Sequence, residues 1–279
     1  MKKNLLNFYI HKSNSYRHRI LDLIYNAKKG HIGGSYSIID LLSYLYLSGK
    51  LDHLKKKKIN PYTDNICLLS KGHCAIAQYV ILEDLNFIKK KDLSNFNSNG
   101  SKYGEHPDLH INGIQVNSGS LGHTLSYSLG IAYDRYIKKN KNKIYVVLGD
   151  GELSEGSNWE SFLFLKEHSY LTNLVIIIDN NKFMTLKSTN NSINSNLIEN
   201  FFKDNTDINF YSINGHDFNG LHECFSKIKV SKNSSVVFLN TIKGKGIKFM
   251  ENNKIWHHKV PNKEEYINGK KILESVFDD

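Results

Sequence analysis

Four short apolar blocks in the second half of the chain constrain its fold more than any other feature. Residues 144–148, 175–178, 208–213 and 236–241 are rich in β-branched and aromatic side chains, and helix-length stretches at 157–170, 197–204 and 219–229 separate them. Apolar runs of this kind suit strands covered on both faces, the usual situation in a parallel sheet. Repeated strand–helix units imply right-handed crossovers. The expected fold class is therefore α/β, a doubly wound parallel sheet with helices on both faces.

The first half reads as a helical preface. Tyr16, Ile20, Leu23, Ile24 and Ala27 recur at helical spacing over 14–28. Ser37 followed by Asp40 resembles a capping box opening a helix over 38–47. Residues 75–85 and 121–137 also fit helices. Residues 90–104 and the Asn-rich stretch 190–196 fit polar loops. Neither an internal repeat nor an interdomain linker interrupts the chain, so 1–279 is expected to form a single domain.

Composition removes several classes. No apolar run is long enough to span a bilayer, and His11 and Lys12 interrupt the only signal-like opening, so a cytoplasmic protein is expected. Cys67, Cys74 and Cys224 lack metal-ligand pairing and are expected as buried thiols. The net charge of +10 invites a nucleic-acid reading. However, Lys55–Lys58 and Lys89–Lys91 show no aromatic–basic interleaving of the kind that stacks bases and read as solvated surface.

In open α/β sheets, ligands bind beyond the carboxyl ends of the strands. Two strand ends here carry suitable residues, Gly149-Asp150-Gly151 and Asp179-Asn180-Asn181. Glycine lets backbone approach a phosphate closely, and the start of the next helix offers N–H donors. A carboxylate in such a loop repels phosphate unless a divalent cation lies between them, and Mg²⁺ suits a site with few protein oxygens. The dinucleotide fingerprint G-x-G-x-x-G and the P-loop G-x-x-x-x-G-K-[ST] are both absent from the sequence.

The run from Leu148 to Glu160, with Asp179-Asn180-Asn181 after it, resembles the thiamine diphosphate motif of transketolases. Ser35-Tyr36-Ser37, Leu69 to His73, Gly104 to Asp108 and Ser118 to Gly122 resemble further transketolase blocks in the family's order, over about residues 15–260. The resemblance implies thiamine diphosphate and Mg²⁺ as cofactors. It implies Asp150, Asn181 and the Phe183 carbonyl as metal ligands, with Asp-x-Asn order favouring Asn181 over Asn180. Gly151, Gly119, Ser120 and Leu121 would hold the cofactor, and Glu155 would lie near a symmetry mate at a subunit interface.

Of 13 histidines, His31, His73, His106 and His257 fall in matching blocks. The resemblance implies that His31, His73 and His257 contact cofactor or donor sugar and that His106 contacts substrate. Imidazole titrates near neutrality and serves either as a donor to a developing oxyanion or as a proton relay. His123 and His258 lie beside these blocks. His11, His18, His53, His110, His168, His216 and His222 read as structural or exposed. Relative to the family pattern it resembles, Ile32, His123 and Thr124 replace the usual Pro, Gln and Gly, and one extra residue lies between Gly156 and Leu174.

The resemblance implies that longer transketolases carry a second domain that binds the aminopyrimidine, and these 279 residues are not expected to include one. A separately encoded C-terminal, pyrimidine-binding subunit is thus implied, in an α2β2 heterotetramer acting on sugar phosphates. The helices at 38–47 and 121–137 are the expected interface. Alternatives are ketol or acyl transfer to a nucleotide-linked or branched sugar, a deoxyxylulose-phosphate-synthase-like condensation, and a non-catalytic regulatory remnant of the fold.

Overall fold

The computed structural model describes residues 1–184, 194–204 and 206–276. Five parallel strands form one sheet: β1 (Ile66–Leu69), β2 (Ile144–Gly149), β3 (Leu174–Asn180), β4 (Asn209–Asn214) and β5 (Ser235–Asn240). Their order is β1-β2-β3-β5-β4. Gly149 is in register with Asp179, and Asn180 with Asn240, so the carboxyl ends of β2, β3 and β5 are level. The chain crosses the sheet in one direction from β1 to β3, jumps to the edge strand β4, and returns to β5. With right-handed crossovers, that reversal places helices on both faces.

Alternation along the strands divides the core in two. Leu69, Val147, Ile177 and Val237 pack on one face beneath α1 (Lys3–Ala27), α2 (Ile32–Leu47), α3 (Ala75–Asp84) and α8 (Phe218–Lys229). A one-turn α4 (Lys90–Leu93) follows α3, and the last helix, α9 (Lys263–Ser275), packs on α1. Leu68, Val146, Leu148 and Ile176 pack on the other face beneath α5 (Thr124–Ile137), α6 (Gly156–Glu167) and α7 (Asn194–Lys203).

Several expectations need correction. Ser37 and Asp40 do not cap a helix, because α2 already begins at Ile32. Instead Ser37 Oγ donates to Asp179 Oδ2 (2.8 Å), and Asp40 takes both Nη1 (2.9 Å) and Nη2 (2.6 Å) of Arg17. The block at 208–213 is not covered on both faces, since β4 is only partly buried at its edge position. Residues 194–196, expected in a loop, open α7, and 190–193 lie outside the described residues. Helix α2 is not an interface either: Ile38 through Tyr46 are buried within this chain. The outer face of α5 and α6 is open instead, exposing Tyr127, Tyr133, Tyr136, Ile137, Leu163 and Phe164.

The three cysteines are buried thiols. Lys55–Lys58 and Lys89–Lys91 are exposed, and Lys55 and Lys56 pair with Asp52 and Asp64. Among the described residues, no helix is long and apolar enough to cross a membrane.

Candidate functional site

The loops leaving β1, β2, β3 and β5 enclose a cavity of about 230 Å³ at the carboxyl end of the sheet. Its floor is organised by two buried carboxylates. Asp179, at the end of β3, is fully buried and accepts from Ser37 Oγ, Asn181 Nδ2 (2.9 Å), Thr241 Oγ1 and Lys71 Nζ. Burial alone would raise its pKa, but Lys71 beside it holds the carboxyl below its ordinary value. Burial likewise works against the Lys71 ammonium, and Asp179 more than offsets it, so the amine stays charged. Glu152 accepts from Ser70 Oγ and from the amides of Gly122 (2.9 Å) and Gly149 (3.2 Å). These contacts join the ends of β1 and β2 to the loop preceding α5. Neither role was apparent in the sequence, because the partners of Asp179 and Glu152 lie up to 142 residues away. Lys71, Glu152 and Asp179 nonetheless stand inside motifs that the sequence offered.

Asp150 faces the cavity from the end of β2. Its Oδ1 accepts from the Gly151 amide (2.8 Å) and its Oδ2 from the Lys182 amide (2.7 Å), which ties the loops after β2 and β3 together. Burial first, and Asp179 behind it, push its pKa up to about 6. A divalent cation in the cavity would relieve both effects, so the donor set fits one. Asn181 lines the cavity, with Oδ1 accepting from the Phe183 amide (3.1 Å). The Asn180 side chain turns to Asn240 instead (2.9 Å). The Phe183 carbonyl lies 3.4 Å from Lys243 Nζ.

The opposite wall is cationic and imidazole-rich, which suits a diphosphate. Lys243 Nζ lies 2.6 Å from His257 Nδ1, and burial with Lys71 nearby lowers the amine to about 8. The rings of His31, His73 and His257 lie 5.2–5.4 Å apart. Burial lowers His31 to about 4 and His257 to about 3, and puts His73 well below its ordinary value, so all three are neutral at pH 7. Gly34, where an added Cβ would meet Cys74 Sγ at 2.9 Å, lets α2 approach this wall.

His73, Leu121, Gly151, Glu155 and His257 line the cavity together with Asp150, Asn181 and Phe183. His31 stands one ring behind this lining. Ser120 is exposed on the loop before α5. His106 is exposed at the rim against Gly119, whose φ of 141° leaves space that a methyl group would fill 2.7 Å from the ring. His216, by contrast, is a structural histidine. Its Nδ1 donates to Asp40 (2.7 Å) and its Nε2 accepts from the Ile242 amide (2.8 Å).

Residues 11–274 match the transketolase thiamine diphosphate binding domain. The chain belongs to the transketolase family. An apulose-4-phosphate transketolase subunit of Phocaeicola vulgatus is 34% identical over 260 residues, covering 91% of this chain and 90% of the relative. The 6-deoxy-6-sulfo-D-fructose transketolase subunit SqwG of a Clostridium species is 31% identical over 249 residues, covering 86% and 87%. Among solved structures, Campylobacter jejuni transketolase superposes with a TM-score of 0.84 at 26% identity, over 98% of this chain and 43% of that one. Human transketolase is matched over 37% of its length. The chain thus spans less than half of those transketolases and nearly all of the two named subunits.

Proposed function

We propose that this chain is the diphosphate-holding subunit of a two-subunit, thiamine-diphosphate-dependent transketolase that moves a two-carbon ketol unit between sugar phosphates in the cytoplasm. The observation that carries the reading is the cavity itself, where buried Asp150 and Asn181 face Lys243, His73 and His257. A metal–diphosphate pair needs both kinds of wall. The whole chain serves as one domain.

In this reading, Asp150, Asn181 and the Phe183 carbonyl hold Mg²⁺, and Gly151 with the backbone of Gly119, Ser120 and Leu121 holds the cofactor. When bound, thiamine diphosphate supplies the carbon nucleophile that breaks and re-forms the bond beside a ketose carbonyl. His31, His73 and His257 are neutral at pH 7, so each can accept a hydroxyl proton or donate its N–H to a developing oxyanion. His106 meets substrate at the rim. Glu155, exposed where α6 begins, faces its symmetry mate.

Two relatives are named as subunits, which supports a separate C-terminal, pyrimidine-binding partner. The open apolar face of α5 and α6 supports assembly into an α2β2 tetramer. The same relatives are named for apulose 4-phosphate and a sulfosugar, which favours a modified sugar as the second reading of the substrate.

The test combines this chain with a C-terminal transketolase subunit from the same genome. Ketol transfer, Mg²⁺-dependent cofactor binding and light scattering are then followed with and without that subunit. The pair should turn over and the chain alone should not. Robust turnover by the chain alone would overturn the two-subunit reading, and a pair that binds no thiamine diphosphate would overturn the cofactor assignment.

A further inference from the structure

Three imidazoles from two separate segments converge beside the cavity. His31 precedes α2, whereas His257 and His258 end the short turn Lys254–His257 and follow it. One ring nitrogen of each lies within 4.8 Å of the other two, the one such trio of potential metal ligands among the described residues. The His258 ring is 4.5 Å from both His31 and His257. His31 is buried, His257 half-buried and His258 exposed, so the group opens to solvent on one side. The Nδ1 of His31 is buried without a hydrogen bond, although Glu105 Oε2 stands 3.0 Å away at an unsuitable angle. His257 Nδ1 faces Lys243, so a metal would be taken by Nε2.

We propose that His31, His257 and His258 form a binding site for a borderline divalent transition-metal ion of the Zn²⁺ type, with Glu105 as the carboxylate partner of His31. Imidazole nitrogen suits Zn²⁺, Ni²⁺ and Cu²⁺, whereas carboxylate and amide oxygens suit Mg²⁺. This trio and the Asp150–Asn181 pair therefore select different ions. Zn–N bonds of about 2.0–2.1 Å in a tetrahedron put ligand nitrogens roughly 3.3 Å apart. The rings must close by at most about 1.5 Å from the observed 4.8 Å limit; rotation of exposed His258 closes its own two distances, and the half-buried His257 ring must shift to close the third. Three protein ligands leave one position for water, as in open zinc sites. A carboxylate behind a ligating histidine fixes its tautomer. Binding at His257 Nε2 leaves the ring proton on Nδ1, so the His257–Lys243 pair gives up one proton to solvent. The consequence for activity, and only that, rests on the function proposed above: a bound ion would block His31 and His257 from the donor sugar and inhibit transfer.

The experiment uses the untagged chain, free of thiamine diphosphate, titrated with Zn²⁺ by calorimetry and with Co²⁺ by visible absorption. One ion should bind per chain. His258→Ala should weaken binding more than about tenfold, Glu105→Gln by about tenfold, and His168→Ala not at all. Excess Mg²⁺ should leave the Co²⁺ band unchanged. Equal affinity in wild type and His258→Ala would overturn the site, and so would loss of the Co²⁺ band to Mg²⁺. Zinc bound on these residues in a chain that, zinc-free and paired with its C-terminal subunit, still fails to support ketol transfer would overturn the proposed function and leave the metal site standing.

Discussion

Replacing Asp40 with Leu should destabilise the chain by about 3–5 kcal/mol, the cost of leaving one member of a buried ion pair alone. Asp40 accepts from Arg17 at 2.9 and 2.6 Å and from His216 at 2.7 Å, and the two side chains of the pair are only 7% and 5% exposed. Without Asp40, the guanidinium keeps the carbonyls of Lys245 (2.9 Å) and Tyr36 (3.4 Å) but has no counter-charge. With a urea slope of about 3 kcal/mol/M, the unfolding midpoint should fall by about 1–1.7 M at pH 7. Burial would raise the Asp40 pKa, yet Arg17 and His216 hold it below the ordinary value of about 3.9. A depressed carboxyl contributes stability that is complete above the unfolded pKa and lost progressively as pH falls from there through the lower folded pKa. The gap between wild type and Asp40→Leu should therefore narrow from pH 7 to pH 3. The double variant Arg17→Met with Asp40→Leu should recover at least about 1 kcal/mol by removing the stranded charge. A single-variant cost below about 1 kcal/mol, or a gap that widens as pH falls, would refute this account.

Two further outcomes are expected near the cavity. Asp150→Asn should leave the melting temperature nearly unchanged, because an amide oxygen still accepts from one of the two loop N–H groups. Mg²⁺-dependent cofactor affinity should drop roughly 10- to 100-fold, the worth of about 1.5–3 kcal/mol for a charged contact, as calorimetry on the assembled pair would show. Gly119→Ala forces a side chain onto φ 141° and a methyl to within 2.7 Å of His106. It should cost about 1–3 kcal/mol of stability and raise the KM for the acceptor sugar, which thermal melts and initial rates would measure.

Strands β2, β3 and β5 were legible because each is an apolar run buried on both faces. Strand β1 was not, since four residues, Ile66–Leu69, are too short to show a period. The start of α2 was obscured by Gly33 and Gly34, which disfavour a helix locally. They are required there because a Cβ on Gly33 would meet the Trp256 carbonyl at 2.8 Å. Ser37 and Asp40 mimicked a capping box at the right spacing while serving partners in β3 and α1. A true capping box, Asn262 with Glu265, stood at the start of α9 and signalled a helix that was not anticipated. At the site, local motifs pointed to Asp150, Asn181 and the histidines. The charges that hold them in place pair across long stretches of sequence, as Lys71 does with Asp179, and no local pattern reveals such pairing.

The hydrogen bonds described for Asp179 and Glu152 begin and end within this one chain. The entropy of arranging the described residues around these two carboxylates is therefore spent at folding rather than at encounter. Any protein that closes over the cavity meets a floor already arranged by these hydrogen bonds, and its association carries the loss of tumbling freedom without an added ordering penalty from that floor. Such a preformed floor favours fast docking, with the residence time set by contacts outside it.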